Sequence, residues 1–420
     1  MTHKPVSPKA NGKGEAAALP DGWCMAAIGE VCAHQTENRD PRRDPDAPFH
    51  YVDISSVDNQ RKVITEARQL PGKEAPSRAR QVIRTNDVLV ATTRPNLNAV
   101  ALVPPDFDNE ICSTGFCVLR PKPEIEPNYL FTFVQSTAFV RTLSDLVKGA
   151  LYPAVTDGQV RAQRLPLPPL PEQRRIATRL REQLSAVAQA RAAVQTQFDV
   201  AQSLPTAHLR AVFEGKNPSK WQRKRIGEIA EIIQNGIYKP AEQYGHGLPF
   251  VRMYNVSDTT WKLNLSRLAQ VDLEASEQDA FSLRKGDLLV SRVNSFELVG
   301  KCAWVGPEAE GYVFENMLIR VRLKEGVDSL LVAQQMMTRP LRDQVQLVAK
   351  RAIGQASINS EDLRNLQVLL PPVNEQRLYS ATLQSECAAA ESLSAALAAK
   401  LAALDHLPAA LLREAFSGRL

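Results

Sequence analysis

Two stretches of the sequence combine arginine and asparagine in the way that base recognition requires. Arg94, Asn96 and Asn98 lie in Thr92-Thr-Arg-Pro-Asn-Leu-Asn98, and Arg292 and Asn294 lie in Ser291-Arg-Val-Asn-Ser-Phe-Glu297, with Lys301 just beyond. A guanidinium can pair bidentately with the edge of guanine and a carboxamide with that of adenine, so both loops have the chemistry of major-groove readers. The same residue types also serve ordinary hairpin turns, and on sequence alone both readings stand. A second pair of loops, Lys148-Gly-Ala-Leu-Tyr152 and Arg351-Ala-Ile-Gly-Gln355-Ala-Ser357, is rich in small residues and carries a cation in each copy. Lys148 and Arg351 suit a clamp on phosphate, with Tyr152, Gln355 and Ser357 as further contacts; solvated surface charge is the competing explanation.

Motifs that would carry catalysis are missing. There is no GxxxxGK[ST] loop for a nucleotide, no HExxH, no GxSxG elbow and no Asn/Asp-Pro-Pro-aromatic motif of adenine methyltransferases. Gly245-His-Gly247 is too short for a dinucleotide loop. Glu214-Gly-Lys216 could suggest a nuclease metal site, but its counterpart, Ser417-Gly-Arg419, has no carboxylate, and a glycine helix cap explains it better. The six histidines are scattered without a triad order, and the six cysteines form no CxxC pair or zinc spacing. No catalytic or metal-binding residue is therefore expected, and the cysteines read as reduced thiols of a cytoplasmic protein.

A net charge of +5 is modest for a protein that binds nucleic acid through phosphates alone, so a basic surface must be local or supplied by a partner. Residues 1–18 are polar and resemble a disordered tail more than a signal peptide. The Ala/Leu-rich segment from Cys387 to Leu412 is interrupted by Glu391, Lys400 and Asp405, which argues against a membrane span.

The elements that must position the loops are written twice. Trp23 followed by Ile28-Gly29-Glu30 recurs as Trp221 followed by Ile226-Gly227-Glu228, and Arg84-Thr-Asn-Asp87-Val-Leu-Val90 recurs as Arg284-Lys-Gly-Asp287-Leu-Leu-Val290. Leu167-Pro-Pro-Leu-Pro-Glu-Gln173-Arg174 matches Leu370-Pro-Pro-Val-Asn-Glu-Gln376-Arg377, and the register then holds without a gap to Gly215 and Gly418. Chance similarity would not keep step so long.

Each Pro-Pro-x-x-Glu-Gln segment opens a helix, the prolines ending a strand and the glutamate complementing the helix dipole. Along the first helix Ile176, Leu180, Leu184, Val187, Val194, Phe198 and Ala201 form a narrow seam. Tyr379, Leu383, Cys387, Ala390, Leu397, Leu401 and Leu404 repeat it, with Arg191 and Ser394 as the polar position that could fix register. A helix of roughly 30 residues makes a rod of about 45 Å, longer than a small domain needs, so helix against helix is favoured over helix against its own domain. Two similar halves packed about a pseudo-twofold axis would make the pair an antiparallel coiled coil.

Residues 19–168 and 218–371 carry short β-branched runs and a few helical patterns, Pro127 to Val147 and Val327 to Val348 the clearest. The expected class is α+β: two mixed, largely β domains separated by helices over 169–217 and 372–420, after a tail over 1–18.

The pattern resembles the specificity (S) subunit of Type I restriction-modification systems, above all in the twice-repeated Leu-Pro-Pro-x-x-Glu-Gln-Arg at the head of a long helix. The likeness covers nearly the whole chain from Leu19. It implies that each globular half is a target-recognition domain for one part of a split double-stranded DNA site, with the helix pair setting the spacing. It implies two adenine methyltransferase subunits as partners and, in a restricting system, two motor-nuclease subunits. It places Gln173, Arg174, Gln376 and Arg377 where the methyltransferase docks. S-adenosylmethionine would belong to the methyltransferase, and ATP and Mg to the restriction subunit, with no cofactor on this chain. The rod length is close to one DNA turn of about 34–36 Å plus the reach of the domains. The first copy departs from the family pattern at Leu151-Tyr-Pro-Ala, which lacks the Gly-x-x-x-Ile-Asn form kept at Gly354 to Asn359. A two-headed scaffold that grips protein, and a DNA-modifying enzyme with a degenerate site, are the readings from other classes.

Overall fold

A computed structural model describes residues 19–147, 153–215 and 217–420. The N-terminal tail and the candidate contacts Lys148 and Tyr152 lie outside the described residues. The chain divides into two compact units, Met1–Val194 with Ala399–Leu420, and Gln195–Ala398. Each unit thus holds one globular part, the front of one long helix and the back of the other, a different partition from a domain followed by its own helix.

The reason lies in the helices, Leu170–Phe213 and Val373–Phe416. In the first unit Ile176 and Leu180 share a core with Leu412 and Ala415, while Arg191 further along meets Asp405. In the second unit Leu209 and Phe213 share a core with Leu383 and Cys387. The start of each helix therefore packs on the end of the other, antiparallel in both units. Ile176, Leu180, Val194, Ala201, Leu383, Cys387, Ala390 and Leu397 are buried, and the remaining apolar seam positions are half-buried. Arg191 pairs with Asp405 at 2.6 Å with both side chains about half exposed, so this polar seam position contributes little to stability. By length and composition alone the second long helix could cross a membrane, its most apolar window reaching a mean hydropathy of 1.4. Its charges do not exclude that. What distinguishes it is that both of its ends are built into protein cores.

The globular parts share one plan. In the first unit Val88–Ala91, buried at every residue, runs between Phe116–Leu119 and Val100–Leu102. In the second, Leu288–Ser291 runs between Leu318–Leu323 and Cys302–Trp304, with Ala230–Asn235 at the edge. These short apolar runs are strands covered on both faces. A second sheet in each unit contains one parallel pairing, Tyr51 beside Ile111 and Phe250 beside Val313. The α+β class is as the sequence predicts. The two helical patterns are each split, into Pro127–Phe133 and Thr137–Leu146, and into Ser329–Met336 and Arg339–Val348. The breaks follow from local chemistry: the Ser136 hydroxyl caps a new helix by accepting from the Phe139 N–H, and Pro340 sits at the start of its counterpart.

Candidate nucleic-acid interface

The repeated motifs turn out to build the frame that holds the candidate loops. In Ile-Gly-Glu, Ile28 and Ile226 are core residues and the glutamates reach back to cap the helix start, Glu30 accepting from Ala27 N at 2.8 Å and Glu228 from Arg225 N at 2.6 Å. The glycines permit close approach: a Cβ on Gly29 would lie 3.3 Å from the Arg161 Cβ, and one on Gly227 3.2 Å from that of Arg364. Short antiparallel pairs, Cys24–Ala27 with Arg164–Leu167 and Gln222–Arg225 with Gln367–Leu370, then tie the opening of each unit to the strand that feeds its long helix.

The aspartate of the central strand motif is a buried ion-pair partner. Asp87 accepts from Arg120 Nε and Nη2 at 2.9 and 2.8 Å and from the Arg84 backbone N–H at 2.8 Å. Asp287 receives Arg322 at 2.8 and 2.7 Å and the Arg284 N–H at 2.8 Å. Both carboxylates are 1% exposed, so a bidentate partner and a backbone donor are needed to offset their desolvation. Sequence reasoning missed Arg120 and Arg322. The available signal was an arginine in or directly after an apolar strand in both copies.

Gln173 and Gln376 correct an expectation. Both are buried, at 1% and 3% exposure. Gln173 accepts from Glu126 N and donates to the carbonyls of Glu124 and Pro168; Gln376 accepts from Asp328 N and donates to the Pro371 carbonyl. These side chains lock each helix start onto its own globular part, and their burial keeps them from a docking protein. Arg174, bonded to Glu126 at 3.4 Å and 65% exposed, and Arg377, also exposed, remain accessible beside them.

In the second unit the loops picked out separately in the sequence lie side by side, and in the first the loop after the central strand lies beside residues 153–155. In the first, Arg94 N donates to the Pro153 carbonyl and Val155 N to that of Thr92, both at 2.8 Å. In the second, Ile358 N donates to the Arg292 carbonyl at 2.9 Å, and Val293 and Asn294 pair with Ser357 and Ala356. The loop after the central strand thus lies beside the segment before the long helix, and the repeat preserves that contact although the loop sequences differ.

What each loop offers is distinct. Arg94 and Asn98 bracket the short helix Pro95–Leu97 with left-handed backbones, φ 49° and 47°. Asparagine tolerates that region, whereas arginine there costs about 1–2 kcal/mol. The Asn98 carbonyl accepts from the Lys62 ammonium at 2.5 Å, and burial pushes the Lys62 pKa down to about 8. Arg94 and Asn96 are exposed and Asn98 is half-buried. The second unit builds a ribbon, with Gln355–Ser357 between Val293–Asn294 and Lys350–Ala352. The Arg351 guanidinium lies 3.5 Å over the Phe296 ring, pinning the ribbon to the loop. Gln355 is exposed; Arg292, Asn294 and Ser357 are half-buried. Lys301 is a second correction. Its side chain is 10% exposed and its ammonium bonds Asp258 at 2.8 Å, so it offers no free cation to a phosphate.

Among the described residues no group of His, Cys, Asp or Glu is placed to hold a metal. Burial pushes the Cys32, Cys117 and Cys302 thiols up to about 12, far from nucleophilic at neutral pH.

Fold and site together define a duplicated recognition protein, with unlike polar loops carried on two copies of one frame. The sequence profile of the Type I restriction modification DNA specificity domain matches residues 20–189 and 218–395, and the chain belongs to that family. It is 24% identical over 426 residues to the specificity subunit of the Type I restriction enzyme EcoKI from Escherichia coli, covering 96% of this chain and 90% of the relative. The StySPI specificity subunit from Salmonella potsdam is also 24% identical over a comparable length. The crystal structure of the HsdS subunit from Thermoanaerobacter tengcongensis superposes with a TM-score of 0.72 at 33% identity, covering 97% of this chain and 99% of the other. A chain from a structural study of type I R-M complex assembly and conformational transition superposes at 0.75, with 33% identity, 96% of this chain and 100% of the other covered. The protein is a Type I specificity subunit, the component that supplies DNA sequence recognition.

Proposed function

We propose that this chain reads a bipartite, asymmetric site in double-stranded DNA, one part with each unit, and directs two adenine methyltransferase subunits to it without catalysing a reaction itself. The observation that carries this reading is the doubled loop surface: one frame, Asp87–Arg120 and Asp287–Arg322, supports two unlike sets of base-reading side chains. Arg94, Asn96 and Asn98 read one part, and Arg292, Asn294, Gln355 and Ser357 the other, with Arg351 at the phosphates. Loops differing on equal frames are what an asymmetric site requires. Arg174 and Arg377, exposed at the starts of the long helices, are the residues left to face the methyltransferase.

S-adenosylmethionine belongs to the methyltransferase, and ATP and Mg to two restriction subunits where the system restricts. The setting is the cytoplasm, where the DNA and these partners are found. Co-expression with the neighbouring methyltransferase and mapping of N6-methyladenine across the host genome tests the reading. A split motif in which exchange of either unit's loops changes one part alone supports it, and methylation independent of this chain refutes it. A salt series on DNA binding by the complex separates it from a protein-gripping scaffold, since log affinity must fall as log salt rises.

A further inference from the structure

The ribbon of the second unit ends in a side chain that its own fold does not use. Between Lys350–Ala352 and Gln355–Ser357 the chain turns through Ile353 and Gly354, the glycine at φ 73° with open space around it. Ile353 is 105% exposed, an isoleucine touching nothing at the tip of a hairpin. An isolated apolar surface residue needs no explanation by itself. This one stands on a ribbon with two exposed cations, Lys350 and Arg351, and the ribbon is hydrogen-bonded to the loop carrying Arg292 and Asn294. The carboxylate of Glu297 lies near Arg351.

A narrow β-ribbon is one of the shapes the major groove of B-DNA admits, and the apolar group exposed on base edges there is the thymine methyl. Entering the groove tip first, such a ribbon would set its cations toward phosphates, the polar side chains at its root toward base edges, and its tip deepest. We infer that Ile353 is a specificity residue that packs on a thymine methyl within the part of the site read by the second unit. This rests on the DNA-reading function proposed above and deepens it. The contact selects a base without a hydrogen bond, a kind of recognition that the Arg and Asn loops do not supply.

The test uses the complete complex of this chain with its methyltransferase and a duplex carrying its mapped site. Each thymine is replaced singly by deoxyuridine, which lacks only the methyl, and affinity is measured for wild type and Ile353→Ala. One position is expected to lose about three- to fivefold in wild type, the worth of one buried methyl. In Ile353→Ala that position becomes indifferent to the methyl, while every other position keeps its wild-type response. The variant melts as wild type does, because Ile353 has no contacts to lose. The inference is overturned if no position shows this coupling. It is equally overturned if Ile353→Ala weakens all sequences alike, the mark of a non-specific wedge, or if it disrupts assembly with the methyltransferase in the absence of DNA. Failure of wild type to prefer any sequence would instead refute the function on which the inference rests.

Discussion

The two globular parts agree where they are buried and part company where they meet solvent. Asp87 with Arg120 and Asp287 with Arg322 are superimposable in chemistry, down to the backbone donors Arg84 and Arg284. Gln173 and Gln376 repeat the same lock. The loops on these frames share a location and little else: a strained turn held by Lys62 in the first unit, a cation-bearing ribbon pinned on Phe296 in the second. A buried polar group must keep its partner or bear its full desolvation cost, so the frame tolerates little change. An exposed loop carries no such constraint, and specificity can vary there without endangering the fold.

The strongest way to break the comparison is to remove one buried carboxylate. Asp287→Asn leaves Arg322, 13% exposed, without its counter-charge and is expected to cost about 3–5 kcal/mol. Asp87→Asn should cost somewhat less, because Arg120 at 26% exposure keeps more water. Equal losses in chemical denaturation would show that partner burial does not govern the pair.

Next in size, Gln173→Ala and Gln376→Ala each strand buried backbone groups and are expected to lose about 1–3 kcal/mol of stability. DNA affinity per folded molecule should stay the same. If stability holds and methyltransferase assembly fails, as measured by size exclusion with the partner, these glutamines dock after all.

The loops should separate from the frame in a different readout. Arg94→Ala and Arg292→Ala should leave melting temperatures nearly unchanged and each relax the sequence preference in one part of the site. The expected loss of discrimination is about 1–3 kcal/mol, read by binding to a randomised duplex library. Relief of the left-handed arginine makes no gain for Arg94→Ala, since alanine is strained there too; Arg94→Gly should raise stability slightly while losing the same discrimination. The smallest effect belongs to Arg191→Ala, which removes a half-exposed pair with Asp405 and should cost less than about 1 kcal/mol. A larger loss would restore this polar position as a register device.

The sequence by itself determined the duplication, the α+β class, the long helices with their seams and the four loops worth inspecting. It could do so because period and repetition are local properties: a seam is visible at spacings of three and four, and Pro-Pro-x-x-Glu-Gln marks a helix start wherever it occurs. The tertiary structure alone decided which of the polar residues were free. Gln173, Gln376 and Lys301 look like surface chemistry in one dimension and are satisfied inside the units, while Arg120 and Arg322 gained their role from a carboxylate 33 and 35 residues away. It also joined Arg94 to Pro153 and Asn294 to Ala356, bringing together segments distant in sequence in each unit. Pairing and burial depend on which segments meet, and that is settled only when the antiparallel helices and the sheets close their cores.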